Sequence, residues 1–162
     1  MEVCQLADAD ATRALGRRLA SRLLEETAAD QLPILLLQGD LGAGKTCLVQ
    51  GLAEGLGISE PITSPTFALA HHYRGTRGNG PTALVHLDLY RLEHPAAADE
   101  LFAQEEEEAL AQGALLAVEW PERLSFVPAP CWRVELDLAG EGRVARIRVG
   151  RETSPAAPKA PR

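Results

Sequence analysis

Lysine is nearly absent from this 162-residue chain: Lys45 and Lys159 are the only two, and arginine supplies the other positive charges. Basic residues as a whole are outnumbered, 16 against 23 acidic, which leaves a formal net charge of -7. A surface of that sign repels phosphodiester backbones and anionic lipid, which argues against unaided capture of nucleic acid or membrane. Cysteines are few, and Cys4, Cys47 and Cys131 lie far apart without C-x-x-C spacing. An odd and scattered set fits neither a disulfide framework nor a zinc cage, and reduced thiols are expected. No apolar run approaches the roughly 20 residues that span a bilayer. The opening Met1-Glu2-Val3-Cys4 lacks the basic and apolar segments of a secretory leader, which predicts a cytoplasmic protein with no membrane contact.

What is present is a hydrophobic share of 46%, enough to fill the interior of one domain of this length. Leu15, Leu19 and Leu23 recur among arginines and predict an amphipathic helix from Asp8 or Asp10 to about Glu26. Ile34 to Leu37, bounded by Pro33 and Gly39, reads as a strand buried on both faces. A second helix is predicted from near Lys45, with Leu48, Val49, Leu52 and Leu56 on one face and Gly57 past its end. Phe67 to Tyr73 and Thr82 to Asp88 have strand character around the turn-rich segment 74–81. A helix over Ala96 to Gln112, a strand over Ala114 to Val118 and a hairpin of Trp132 to Leu138 with Val144 to Val149 complete the pattern. The order predicts an α/β nucleotide-binding fold: a mixed sheet with a parallel centre, antiparallel flanking strands and helices on both faces. Residues 1–151 form the single domain expected, and the Pro/Ala-rich segment 152–162 reads as a disordered tail.

The strongest local signal is Gly39-Asp40-Leu41-Gly42-Ala43-Gly44-Lys45-Thr46, which satisfies G-x-x-x-x-G-K-[ST] directly between a predicted strand and a predicted helix. Glycines let successive backbone N–H groups turn inward and, with the helix N-terminus, cradle phosphate oxygens. Lys45 then reaches the outer phosphates, and Thr46 offers its hydroxyl to magnesium. Guanine readers commonly use an N-K-x-D segment, which two lysines at 45 and 159 exclude, so adenine is the expected base. Cys47 follows at the helix start, either as a small filler or as a thiol with a lowered pKa.

Such a loop needs a carboxylate for the metal and for the attacking water, usually at the C-terminal end of a neighbouring strand. Asp88 and Glu119 both qualify, and the pattern alone does not choose between them. His86 shares the strand face of Asp88 and reads as a structural histidine ahead of a catalytic base. Thr63-Ser64-Pro65-Thr66-Phe67 is either a plain turn or a switch loop whose hydroxyls approach the terminal phosphate. Glu105 to Glu108 read as a solvated helix face, and Trp120 as core or as a cover over the site.

Together the glycine loop, Ser64-Pro65-Thr66-Phe67, His86-Leu87-Asp88-Leu89-Tyr90-Arg91-Leu92 and Val118-Glu119-Trp120-Pro121 closely resemble the bacterial TsaE (YjeE) family. The resemblance spans about residues 5 to 150 and includes Gly142-Arg143-Val144-Ala145-Arg146 of the last hairpin. It implies a small P-loop ATPase that works with TsaB and TsaD in forming threonylcarbamoyladenosine beside the anticodon of tRNA, with hydrolysis resetting the complex. By the same resemblance residues 40–46 bind ATP, Thr46 and Glu119 hold Mg2+, Asp88 serves hydrolysis, Thr66 belongs to a switch-like loop and Arg143 lies beside the nucleotide. The family often has a second threonine where this chain has Cys47. A small-molecule kinase, with the arginines of segment 74–77 as a lid, and a nucleotide-gated adaptor without turnover are the alternatives.

Overall fold

A computed structural model describes residues 1–65 and 69–150. The chain order is β1 (Glu2–Leu6), α1 (Ala9–Glu26), β2 (Ile34–Gln38), α2 (Lys45–Gly55), β3 (Ala70–Arg77), β4 (Gly80–Asp88), α3 (Pro95–Gln112), β5 (Leu115–Glu119), β6 (Cys131–Ala139) and β7 (Gly142–Gly150). The strands form one sheet in the order β1-β7-β6-β2-β5-β4-β3. β6, β2, β5 and β4 run parallel, while the pairs β1–β7, β6–β7 and β3–β4 are antiparallel. The mixed sheet with a parallel centre is therefore as expected.

The alternation of β2 builds the two layers. Leu35 and Leu37 join Leu15, Leu19 and Leu23 of α1 and Leu48 and Leu52 of α2, whereas Ile34 and Leu36 join Ala98, Phe102 and Ala109 of α3 on the opposite face. Asp8 caps α1, its carboxylate accepting from the Ala11 N–H at 2.8 Å. α1 and α2 touch backbone to backbone: a Cβ on Gly16 would lie 2.3 Å from the Leu48 oxygen, and one on Gly51 would lie 2.1 Å from the Arg13 oxygen. Gly51→Ala must push the helices apart, and a loss of about 1–3 kcal/mol is expected for such overpacking. A urea midpoint equal to that of the wild type would show that the contact carries no such constraint.

Three expectations change. β1 was not foreseen; it pairs Glu2 with Ile147 through Leu6 with Arg143 and supplies one sheet edge. The segment 74–81 is mostly ladder, with Arg74 opposite Ala83 and Thr76 opposite Pro81, so the turn shrinks to Gly78 and Asn79. Glu105 is not solvated: it is 7% exposed, and its carboxylate meets His72 Nε2 at 2.7 Å. Glu106, Glu107 and Glu108 are exposed as expected. The tail expected over 152–162 lies outside the described residues. No described helix is long and apolar enough to cross a membrane.

Candidate nucleotide site

The glycine loop joins the C-terminal end of β2 to the first turn of α2, as its sequence context requires. Gly39, Gly42 and Gly44 all have positive φ, at 157°, 83° and 106°. At Gly39 the constraint is also spatial, because an added Cβ would come within 2.7 Å of the Leu136 oxygen. A Cβ at Gly42 would meet nothing within 4 Å, so the middle of the loop faces open space. The Ala43 N–H closes a turn on the Asp40 oxygen at 3.0 Å. Arg143, at the start of β7, props the loop from behind, donating through Nε to the Ala43 oxygen at 3.1 Å and through Nη2 to the Gly42 oxygen at 3.2 Å.

A cavity of about 480 Å3 opens over this loop. Leu41, Gly42, Gly44, Lys45 and Thr46 line it from the loop side, and Asp88, Glu119 and Trp120 from the ends of β4 and β5. Parallel pairing brings the two carboxylates together, since Asp88 lies opposite Glu119 in the ladder. Alternation puts His86, Asp88 and Glu119 on the sheet face that carries α1 and α2, because Leu84, Leu115 and Ala117 of the same alternating sets pack there. Lys45 is 5% exposed; its ammonium donates to the Gly39 oxygen and stands 4.2 Å from the Trp120 ring centroid. Trp120 thus covers the site, with its ring 4.8 Å from that of Tyr90. The two non-glycine residues of positive φ among the described ones, Leu69 and Trp120, both line this cavity.

Thr46 Oγ1 lies 2.7 Å from Ser64 Oγ, which ties the segment before Pro65 to the first turn of α2. Thr66 lies outside the described residues. Burial raises the Asp88 pKa; the Tyr90 N–H, donating to Oδ1 at 2.9 Å, opposes that rise, and the Glu119 charge adds to it. Glu119 is 4% exposed and meets His86 Nε2 at 2.5 Å. Burial also pushes the Cys47 thiol up, against the alternative of a lowered pKa. Among the described residues no three His, Cys, Asp or Glu side chains form a metal cage.

Behind Gly44 a smaller cavity of about 180 Å3 is lined by Asp8, Ala9, Thr12, Cys47, Glu141 and Arg143. Arg143 therefore belongs to this second space and not to the carboxylate cavity. Sequence reasoning missed the space because it is made by the α1 N-terminus meeting the β6–β7 turn; the Asp8 cap was its only local trace. The arginines of segment 74–77 lie by the β3–β4 turn, at the sheet end opposite the glycine loop, and Arg77 donates to Ser21 of α1 at 3.0 Å. That placement removes the lid on which the kinase alternative rests.

A family model described as threonylcarbamoyl adenosine biosynthesis protein TsaE matches residues 6–147. The tRNA threonylcarbamoyladenosine biosynthesis protein TsaE of Synechocystis is 47% identical over 127 residues, 76% of this chain and 73% of that one. Its Nostoc counterpart is 44% identical over 137 residues, 85% of this chain and 78% of the relative. Among solved structures, the crystal structure of Bacillus subtilis YdiB superposes with a TM-score of 0.60 at 26% identity, covering 92% of this chain and 85% of that chain. With the model spanning nearly the whole described domain, the chain belongs to the TsaE family of threonylcarbamoyl adenosine biosynthesis proteins.

Proposed function

We propose that this chain is a magnesium-dependent ATPase of the cytoplasm that supports TsaB and TsaD in forming threonylcarbamoyladenosine on tRNA. The observation that carries the reading is the convergence of Lys45, Thr46, Asp88 and Glu119 on one cavity over a glycine loop at a helix N-terminus. The donor set suits a phosphate-bound magnesium ion, which takes few protein ligands and keeps its remaining positions for phosphate and water. Thr46 and Glu119 would hold it, and when bound it offsets charge on the phosphate oxygens.

The first-turn N–H groups of α2 lack helical partners and receive phosphate oxygens, while Lys45 exchanges the Gly39 oxygen and the Trp120 face for them. Asp88 orients the attacking water and takes up its proton. The base occupies the smaller space behind Gly44, near Thr12 and Arg143. No guanine-reading N-K-x-D segment is present, so ATP is expected to bind more tightly than GTP. Equal competition by the two nucleotides would remove the adenine preference.

The net charge opposes direct tRNA capture, so TsaB and TsaD hold the RNA in this scheme. Slow turnover by the isolated chain, accelerated by those partners, is the expected result of a phosphate-release assay. Partner affinity must also differ between the ATP and ADP states, because a ligand shifts an equilibrium only through differential binding. Calorimetry with purified TsaB and TsaD, run with a non-hydrolysable ATP analogue and then with ADP, measures that difference. Identical affinities, or tight tRNA binding by this chain alone, would overturn the scheme.

A further inference from the structure

His86 is the most completely buried ionisable residue beside the cavity, at 0% exposed, and it lies outside the lining. Its Nε2 meets Glu119 Oε2 at 2.5 Å, and its Nδ1 has no hydrogen-bond partner among the described residues. The β4–β5 register explains the contact: His86 lies opposite Ala117, one alternation before the Asp88–Glu119 pair, so its ring stands beneath the Glu119 carboxylate on the same face. Glu119 is itself 4% exposed, so the contact between the two side chains is shielded from water.

We propose that His86 is a positioning residue that fixes which oxygen of Glu119 is presented to the metal, a role that rests on the proposed magnesium-dependent function. An ionised carboxylate is acceptor-only, so Nε2 is the nitrogen that donates in this contact. With Oε2 engaged by the ring, the remaining oxygen of Glu119 is the one left to the cavity that the residue lines. A ligating carboxylate oriented by a hydrogen-bonded neighbour keeps its geometry without being chosen anew at each binding event.

Two measurements test this. In wild-type protein without nucleotide, nitrogen-15 correlation spectra of the histidine rings should show His86 protonated at Nε2; a ring lacking that proton overturns the assignment. For the role itself, nucleotide affinity is measured by calorimetry at graded Mg2+ and again in EDTA, for wild type, His86→Leu and His86→Gln. Loss of such an outer partner typically costs about 10–100-fold in metal affinity. His86→Leu should therefore raise half-saturating Mg2+ by that factor while leaving affinity in EDTA within about twofold. His86→Gln, whose amide nitrogen takes the Nε2 place, should recover most of the loss. An unchanged Mg2+ dependence in His86→Leu, an equal loss in EDTA, or a folded His86→Gln that recovers nothing would each overturn the role. Should His86→Leu fail to fold, His86→Gln and the wild-type spectrum decide alone. Wild-type protein that binds nucleotide with no metal dependence would defeat the proposed function and this role with it, whereas metal dependence shared by His86→Leu defeats the role only.

Discussion

Lys45→Ala is expected to weaken ATP binding about 10- to 100-fold, the effect of losing a charged hydrogen bond, and to slow turnover by roughly a further 100- to 1,000-fold. Composition is the first reason. Lys159, the only other lysine, lies outside the described residues, so among the described residues no other ammonium replaces the lost charge. Arg143 stands close to the loop but is engaged with the Gly42 and Ala43 oxygens behind it. Lys45→Arg should not restore wild-type affinity, because a longer, planar guanidinium does not reproduce the compact ammonium that donates to the Gly39 oxygen. Calorimetry on the two variants checks this. Unchanged ATP affinity in Lys45→Ala would end the nucleotide reading while leaving the fold as described.

The glycine loop was legible because its demands are local: strand, turn glycines and helix are neighbours in sequence. Asp88 and Glu119 were legible as strand-end carboxylates, yet their adjacency comes from the parallel β4–β5 register, 31 residues apart, which no local pattern encodes. β1 was missed for the same reason. Glu2–Leu6 carries no clear apolar alternation, and its strand conformation is imposed by pairing with β7 at the far end of the chain. Glycine density misled at 74–81. Gly75 is there because a Cβ would lie 2.6 Å from the Gly57 oxygen, and Pro81 is tolerated at the start of β4, so close packing and strand ends imitate a long turn. Glu105 was recoverable in principle. Ala98, Phe102, Glu105 and Ala109 follow helical spacing on the core face of α3, which sets Glu105 apart from the three glutamates after it. Its partner His72, on β3, was not recoverable from that spacing.

Asp88→Asn and Glu119→Gln are expected to separate turnover from metal binding. Asp88→Asn keeps the shape that accepts the Tyr90 N–H but loses the proton acceptor, so kcat should fall about 100- to 10,000-fold with ATP affinity nearly unchanged. Glu119→Gln keeps volume but loses charge at the metal, so its defect should appear first as a higher Mg2+ requirement. Asp88→Asn should also change stability. Burial raises the Asp88 pKa above its ordinary 3.8, so the folded state holds that proton longer than the unfolded chain. Stability from this group is then lost as pH rises from about 3.8 through the folded value, and it stays lower at neutral pH. Asp88→Asn removes the loss, so the inactive variant should have a higher urea midpoint than wild type at neutral pH and an equal one in acid. Both activity and stability can be read on one preparation, by phosphate release and by urea denaturation at several pH values. Wild-type turnover in both variants would leave neither carboxylate its role, and an Asp88→Asn protein less stable than wild type at neutral pH would mean that the ionised carboxylate holds the fold instead of straining it.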